Sequence, residues 1–367
     1  MKEKYQTMKS FFYIIIAGSL LACSLGEKTT KTMDNTNKDE MLLNNVVNEL
    51  KSPKGMSFGF YNVENLFDTI DDKYTIDEQF LPDSEKEWNS EKYNEKQENL
   101  SKVIAAFDNE LPLFLGFAEI ENKGVLEDLI GQKKLQRGNY GIVHAESPDK
   151  RGIDVGMIYR KDYMRILSSE SMEVSLKSDP DFATRDILYI QGELKGNDKV
   201  HIFLNHWSSR RGGEKETEHK RVRAASVLRD KVDEVLDENS MAKIIILGDF
   251  NDHPTNKSIY VTLGAKGTPD FQNGQLFNMA YKLHKEKKGT YNYKGDWGML
   301  DQMIVSEGLY SAESGVKVAY DQCLVLQKDW MMYTDKKYGD QKPSRSYGGP
   351  NYYGGYSDHL PIYSIFK

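Results

Sequence analysis

Short apolar runs with strand character recur along this chain, and five of them abut side chains that bind metal ions or move protons. Phe58 to Tyr61 leads into Asn62-Val63-Glu64-Asn65, and Leu113 to Ala118 into Glu119-Ile120-Glu121-Asn122. Val200 to Leu204 leads into Asn205-His206, Lys243 to Leu247 into Gly248-Asp249-Phe250-Asn251-Asp252, and Ser357-Asp358-His359 stands directly ahead of Leu360 to Phe366. A carboxylate straight after so apolar a run either breaks out to solvent or serves a buried cation; at Glu119 we take the cation. One such strand end alone reads equally well as a turn. Five of them describe carboxylates that hold a divalent ion and imidazoles that handle protons, the groups needed to bring water in line with a crowded phosphoester.

Ile244 to Leu247 is the most apolar run after the leader and is expected at the centre of a sheet. Asp249 and Asn251 lie two apart, so an extended backbone points both the same way. Asp249 is then placed to bind metal or orient water, and Asn251 to donate to a phosphate oxygen, while Gly248 lets the backbone approach a ligand closely. Asn62 and Glu64 repeat that spacing on one side of their own strand. His206 and His359, two of only seven histidines, each end or precede a strand beside a polar neighbour, which favours acid/base work. Asp301, in Trp297-Gly298-Met299-Leu300-Asp301-Gln302, is placed to hold an imidazole in one tautomer.

Further strands are expected at Val155 to Tyr159, Leu188 to Leu194 and Met303 to Val305. Leu100, Val103, Ile104 and Phe107 fall at helical spacing, as do Ala225, Leu228, Val232 and Val235. No repeat and no Pro-rich or Ser-rich linker interrupts residues 55–367, which are expected to form one domain. Strands that follow one another directly, mixed with helices, give an α/β (α+β) chain of two packed mixed, largely antiparallel sheets flanked by helices.

The N-terminus reads as a leader. Lys2, Lys4 and Lys9 precede an apolar run from Phe11 to Leu21, and Leu20-Leu21-Ala22-Cys23 resembles a bacterial lipobox. The resemblance implies a signal peptide over 1–22, lipidation of Cys23, and a mature protein anchored to a membrane outside the cytoplasm, on the periplasmic face or the cell surface. Residues 23–54 are then a polar, flexible linker, and Cys323, without a disulfide partner, is a core residue. Removing residues 1–22, with three lysines and one glutamate, takes the net charge from −7 to −9. That balance argues against loose, charge-driven binding of nucleic acid. Arg210 and Arg211 still make a local basic turn beside His206, whereas Lys220, Arg221 and Arg223 are expected on a solvated helix face.

Taken together and in this order, NVEN, AEIEN, GDFND, LDQ and SDHLPI resemble the endonuclease/exonuclease/phosphatase superfamily, the deoxyribonuclease-I-like fold, over almost all of residues 55–367. The resemblance implies a four-layer α/β sandwich with its site across the tops of two sheets and Mg²⁺ or Mn²⁺ as cofactor, Ca²⁺ being the alternative. It implies Glu119 as main metal carboxylate with Asn62, Glu64 and Asp358 close by. Asp249 would activate water, Asn251 bind phosphate, His359 contact the scissile phosphate, Asp301 support it, and His206 act as second histidine. The stretches at 205–213 and 345–356 look like a secreted bacterial branch. Arg345, Arg210 and Arg211 are expected at the phosphate, where a guanidinium fork suits the oxygens, and Tyr353 against a base. Arg151 and Asp154 fall where the family often has polar residues near the site. The expected activity is that of a monomeric, extracytoplasmic endonuclease cutting DNA or RNA. The alternative is a phosphatase or phospholipase-type phosphodiesterase acting on inositol phosphates or sphingomyelin-like lipids, against which stands the lack of any evident apolar loop that would enter a membrane.

Overall fold

The structure, a computed structural model, describes residues 49–367 apart from 108–109, 321 and 337–338. The leader, Cys23 and the linker as far as residue 48 lie outside the described residues. The last part of the expected linker is docked on the domain: Leu50 is buried, and the Lys51 amide donates to the Asp162 carbonyl at 2.8 Å.

Two sheets carry the fold. The first contains β1 (Ser57–Leu66), β2 (Phe114–Ile120), β3 (Tyr140–His144), β4 (Asp154–Arg160), β12 (Leu324–Val325) and β13 (Ile362–Ile365), in the order β12-β13-β1-β2-β4-β3. The second contains β5 (Met164–Met172), β6 (Ile187–Leu194), β7 (Asp198–His206), β8 (Lys243–Asp249), β9 (Ala265–Lys266), β10 (Leu276–Asn278) and β11 (Asp301–Val305), in the order β5-β6-β7-β8-β11-β10-β9. Most pairings are antiparallel, and β1 with β2, β7 with β8 and β9 with β10 are parallel. Helices α1 (Ser90–Ile104) and α2 (Lys123–Gly131) cover the first sheet, and α3 (Glu214–Glu238) covers the second.

The apolar runs are nearly continuous because both faces of each sheet are covered. Phe58 and Phe60 of β1 point into the inter-sheet core with Leu204, Ile245, Leu247 and Met303, while Tyr61 and Val63 face outward against Leu100, Val103 and Ile104 of α1. Ile244 and Ile246 likewise pack on Ala225, Leu228 and Val232 of α3. Period-2 strands meeting period-3.6 helices on their outer faces produce the four layers expected from the motifs. Cys323 is a buried core thiol, as expected. Strands β3 and β5 escape a sequence reading: β5 lies at a sheet edge with an exposed centre and offers no alternation to read.

The sheets meet closely at Gly116, where an added Cβ would lie 2.5 Å from Leu204 Cδ2 and 3.2 Å from Phe60 Cδ2. Gly116→Ala is expected to cost about 1–3 kcal/mol, the usual range for overpacking a filled core. Thermal unfolding checks this; an unchanged midpoint would mean that the two sheets have slack at this point.

Candidate active site

Register brings the polar strand ends together. His206 on β7 pairs with Asp249 on β8, and Asp249 pairs with Asp301 on β11, so three functional side chains stand in a row across the second sheet. β11 and β13 run antiparallel to their neighbours, so their first residues lie at the same end of the sandwich as the last residues of β1, β2, β7 and β8. The sheets are joined at this rim by Asn62, whose Nδ2 donates to Asp249 Oδ2 at 3.1 Å and reaches Glu119 Oε1 at 3.4 Å. A cavity of about 1100 Å³ opens there, lined among others by Glu119, His206, Asp249, Asn251, Asp358 and His359.

The backbone departs from regular strand where these groups converge. Glu64, Asn65, Glu119 and Asn251 have φ of 53°, 53°, 63° and 50°, a left-handed region that costs of order 1–3 kcal/mol per residue and persists only when neighbours enforce it. The enforcing contacts are short: the Asn65 amide donates to Glu119 Oε2 at 2.9 Å and the Asn251 amide to Asp249 Oδ1 at 2.9 Å. Both two-residue spacings therefore act through turns rather than through extended chain. Asn251 turns back on Asp249 and anchors its Nδ2 to the Trp207 carbonyl at 3.0 Å. A bulge between Asn62 and Leu66 sends Glu64 away from Asn62, so the expected shared face does not form.

His359 is held at its backbone and at its ring. Its amide donates to Ser357 Oγ at 3.1 Å, whose hydroxyl donates to the Asn62 carbonyl at 2.7 Å, and its Nδ1 lies 2.6 Å from Asp301 Oδ2. Asp301 also accepts the Thr290 hydroxyl. Burial works against a charged ring, but the Asp301 carboxylate and its hydrogen bond, with Asp249 and Asp358, raise His359 well above the ordinary histidine value. Nε2 then carries a proton toward Asp249 Oδ2, 3.9 Å away. His206 behaves oppositely: burial, then Arg185 and Arg151, hold it well below its ordinary value, with Nε2 3.8 Å from both Glu119 Oε1 and Asp249 Oδ2. Burial pushes the Asp249 carboxyl up to about 6 against the pull of His359, with Asp301 and Glu119 adding to the rise.

Glu64 and Asp358 form a second cluster around Arg345. Arg345 Nε lies 3.1 Å from Glu64 Oε1 and a terminal nitrogen 3.0 Å from Asp358 Oδ2, while the Ser346 amide donates to the other Glu64 oxygen at 2.7 Å. Arg345 therefore neutralises two of the four expected metal ligands and borders a neighbouring cavity of about 550 Å³ together with Glu64. Behind them lies Lys96, wholly buried, its Nζ donating to Ser346 Oγ at 2.7 Å and the Tyr356 carbonyl at 2.8 Å. Burial brings its ammonium down to about 8 despite Glu64, Asp358 and Glu119. Lys96 was legible in principle, since it falls in phase with Leu100 and Val103 on the apolar stripe of α1.

Glu119 is the group best fitted to a divalent ion. It lines the main cavity, only one of its oxygens accepts a short hydrogen bond, and Asp249 beside it is a buried carboxyl with too little positive charge around it to stay fully ionised. Hard oxygen donors around a cavity suit Mg²⁺, Mn²⁺ or Ca²⁺. Asp249, Asp301 and His359 also lie close enough together to hold an ion, but the Asp301–His359 hydrogen bond already commits that pair to each other.

The other expected residues divide. Arg210 lines the cavity yet spends its guanidinium on the Asn251 carbonyl at 2.7 Å, Asp252 and Asn256, so it clamps the β8 turn. Arg211 lines the cavity and is exposed. Tyr353 is 64% exposed and stands over Gly348, outside the lining of the main cavity. The neighbouring Tyr352 and Tyr356 hydroxyls bond to Glu95 and Lys102. Asp154 turns to Ser147 and His144, and Arg151 reaches the cavity wall. Arg221, expected on a solvated face, is fully buried and pairs with Asp252 at 2.8 Å, because the β8 turn places that buried carboxylate against α3. Arg185 gave no sequence signal; it donates to the His206 and Trp207 carbonyls at 3.1 and 2.7 Å and pairs with Asp149 at 2.8 Å.

A four-layer sandwich that gathers carboxylates, an Asp-supported imidazolium and a neutral imidazole at one rim defines a class, the metal-dependent phosphoester hydrolases. The chain belongs to the Endonuclease/Exonuclease/phosphatase family, whose sequence profile matches residues 57–367. Solved structures share the fold at low identity. One is an endonuclease/exonuclease/phosphatase family protein from Bacteroides thetaiotaomicron, with 17% identity and a TM-score of 0.53 over 85% of this chain and 94% of that one. D. rerio TDP2 complexed with single strand DNA product shows 16% identity and a TM-score of 0.52, over 85% and 98%. The human Nocturnin catalytic domain with bound sulfate anion shows 15% and 0.51, over 86% and 95%. No curated protein matches the sequence.

Proposed function

We propose that the protein is a divalent-metal-dependent nuclease that cuts phosphodiester bonds of DNA or RNA outside the cytoplasm, tethered through a lipid on Cys23. The observation that carries the reading is the opposed pair at the rim: Asp249, a carboxyl held near 6, faces His359, held protonated, across 3.9 Å beside Glu119. Environments that push two neighbouring groups apart in this way assign base and acid. Asp249 accepts the proton of an in-line water as the water oxygen bonds to phosphorus, the P–O bond to the leaving alcohol breaks, and His359, oriented by Asp301, donates its Nε2 proton to that leaving oxygen. Asn251, with one amide hydrogen anchored on Trp207, keeps a second for a phosphoryl oxygen. Neutral His206 accepts a hydrogen bond from the same water. A divalent ion on Glu119 supplies Lewis-acid polarisation of the phosphate when bound. Support for a polynucleotide comes from the large cavity and from the DNA product bound by a protein of the same fold.

Metal-free protein incubated with supercoiled DNA, single-stranded RNA, bis-p-nitrophenyl phosphate, inositol phosphates and sphingomyelin vesicles, each with and without Mg²⁺, tests the reading. Metal-dependent cutting of either nucleic acid is expected. Silence on both with release from inositol phosphates or sphingomyelin would replace it with the alternative phosphodiesterase. One observation favours that alternative. Ile70, Tyr74 and Ile76 are 73%, 86% and 63% exposed on one loop, contrary to the sequence expectation of no apolar loop, and the Ile76 amide donates to the carbonyl of cavity-lining Lys150 at 2.7 Å.

Among the described residues no helix is long and apolar enough to cross a membrane, so attachment rests on the leader. Cys23→Ser in the full-length chain is expected to abolish incorporation of labelled palmitate and to move the protein into the soluble fraction. Equal labelling of the variant would remove the anchor.

A further inference from the structure

The reactive rim occupies only the middle of its cavity, and the two ends differ in chemistry. On the β7 side the wall is cationic, with Lys150, Arg151, Arg211 and Lys220, in a chain whose net charge is −7. Asp179 and Asp181 lie on this wall and offset it only in part. Lys150 and Arg211 are exposed and make no ion pair among the described residues. Arg151 approaches only Asp149, at 3.5 Å, and that carboxylate already pairs with Arg185 at 2.8 Å, so two guanidinium groups share one anion. Thr184, on the same wall, keeps a buried hydroxyl with no hydrogen-bond partner.

On the β11 side the wall is aromatic. The hairpin of Tyr291–Tyr293 and Asp296–Gly298 runs directly ahead of Asp301 and lies against His359, the Tyr291 ring 4.9 Å from the imidazole. From it Tyr293, 60% exposed, and half-buried Trp297 line the cavity, with Lys294 Nζ 5.1 Å from the Tyr293 ring centre. Because β8 lies between β7 and β11, the two walls flank Asp249 from opposite sides, the strands they border being about two strand spacings or roughly 10 Å apart. A lone phosphate monoester at Asp249 would leave both walls empty.

We propose that these walls are two recognition subsites for a single nucleic-acid strand: Lys150, Arg151, Arg211 and Lys220 hold the phosphate next to the scissile one, and Tyr293 with Trp297 stacks an unpaired base on the other side. The inference rests on the nuclease reading and specifies the form of substrate. Cations spaced along a groove track a phosphate backbone, and exposed rings stack on bases only when those bases are free of a duplex.

The test compares wild type, the double variant Lys150→Ala/Lys220→Ala and Tyr293→Ala, with Mg²⁺, on a single-stranded hexanucleotide, a hairpin duplex and bis-p-nitrophenyl phosphate. The small diester has no second phosphate and no base, so the ratio of kcat/KM on the hexanucleotide to that on the diester reports the contacts made with the strand and cancels any difference in folded fraction. The ratio is expected to fall about tenfold in the double variant, with the slope of log kcat/KM against log salt flattened by about one. In Tyr293→Ala it is expected to fall about fivefold or more on the single strand, and less on the duplex. Ratios within twofold of wild type in both variants, while wild type cuts the hexanucleotide, overturn the subsites alone. A wild type that hydrolyses the small diester and neither oligonucleotide overturns the nuclease reading and the subsites with it.

Discussion

Glu119→Gln is expected to abolish measurable phosphodiester hydrolysis at any Mg²⁺ concentration while the protein stays folded. The exchange keeps an oxygen for the Asn65 amide, so the turn in which Glu119 sits at φ 63° retains its 2.9 Å hydrogen bond. What is lost is the formal charge of a cavity-lining carboxylate that no arginine or lysine neutralises. Glu64 and Asp358 do not replace it, because Arg345 sits between them at 3.1 and 3.0 Å. A bound ion provides several kcal/mol of transition-state stabilisation, and each 1.36 kcal/mol is tenfold in rate, so the loss should reach about 10³-fold or more. Glu119→Ala removes the amide's partner as well and should lose some stability in addition. Turnover under saturating Mg²⁺ and calorimetric titration with Mn²⁺ check this together. A variant that turns over at the wild-type rate, or binds Mn²⁺ as tightly as wild type, would shift the ion to another ligand.

The same contacts show which parts of the site are legible in a sequence. Strand ends could be read, because a sheet covered on both faces leaves a continuous apolar run that stops abruptly at its polar rim, as at Leu247 before Asp249. Their convergence could be read only from the combination of motifs, since the register that aligns His206, Asp249 and Asp301 is set by pairings between distant segments. Backbone reversals could not be read. Asn62 and Glu64 look like one face of a strand until the bulge at left-handed Glu64 and Asn65 separates them, and only then does Glu64 meet an arginine 281 residues further along the chain. Arg210 and Arg221 carry the same signal as Arg211 in a basic stretch, yet Asp252 pulls the first two into structural roles and leaves the third exposed. A charge becomes structural or functional according to which carboxylate the fold brings to it.

For His359→Ala we expect kcat to fall by about three orders of magnitude, the middle of the range for removing a positioned proton donor. The ring is buried and already oriented, so the variant removes the donor at the phosphate and also the cation that favours an ionised Asp249. The wild-type pH profile should therefore be bell-shaped. Asp249 must be ionised to accept a proton, so activity falls as pH drops through a limb at or below about 6, since a cation held by Glu119 would favour the charged form. His359 must be protonated, and its value is raised, so activity persists well above the ordinary histidine range and is lost as pH rises through that raised value. Asp301→Asn separates the two limbs. It deletes the charge and the ionic hydrogen bond that do most to hold the imidazolium, leaving burial opposed only by Asp249 and Asp358, so the alkaline limb should move to lower pH by at least one unit, while the acid limb, relieved of the Asp301 charge, moves to lower pH by less. An alkaline limb that does not move in Asp301→Asn would assign it to some other group. A loss below tenfold in His359→Ala would mean that the leaving oxygen takes its proton from elsewhere, with His206 the nearest remaining imidazole, 3.8 Å from Asp249.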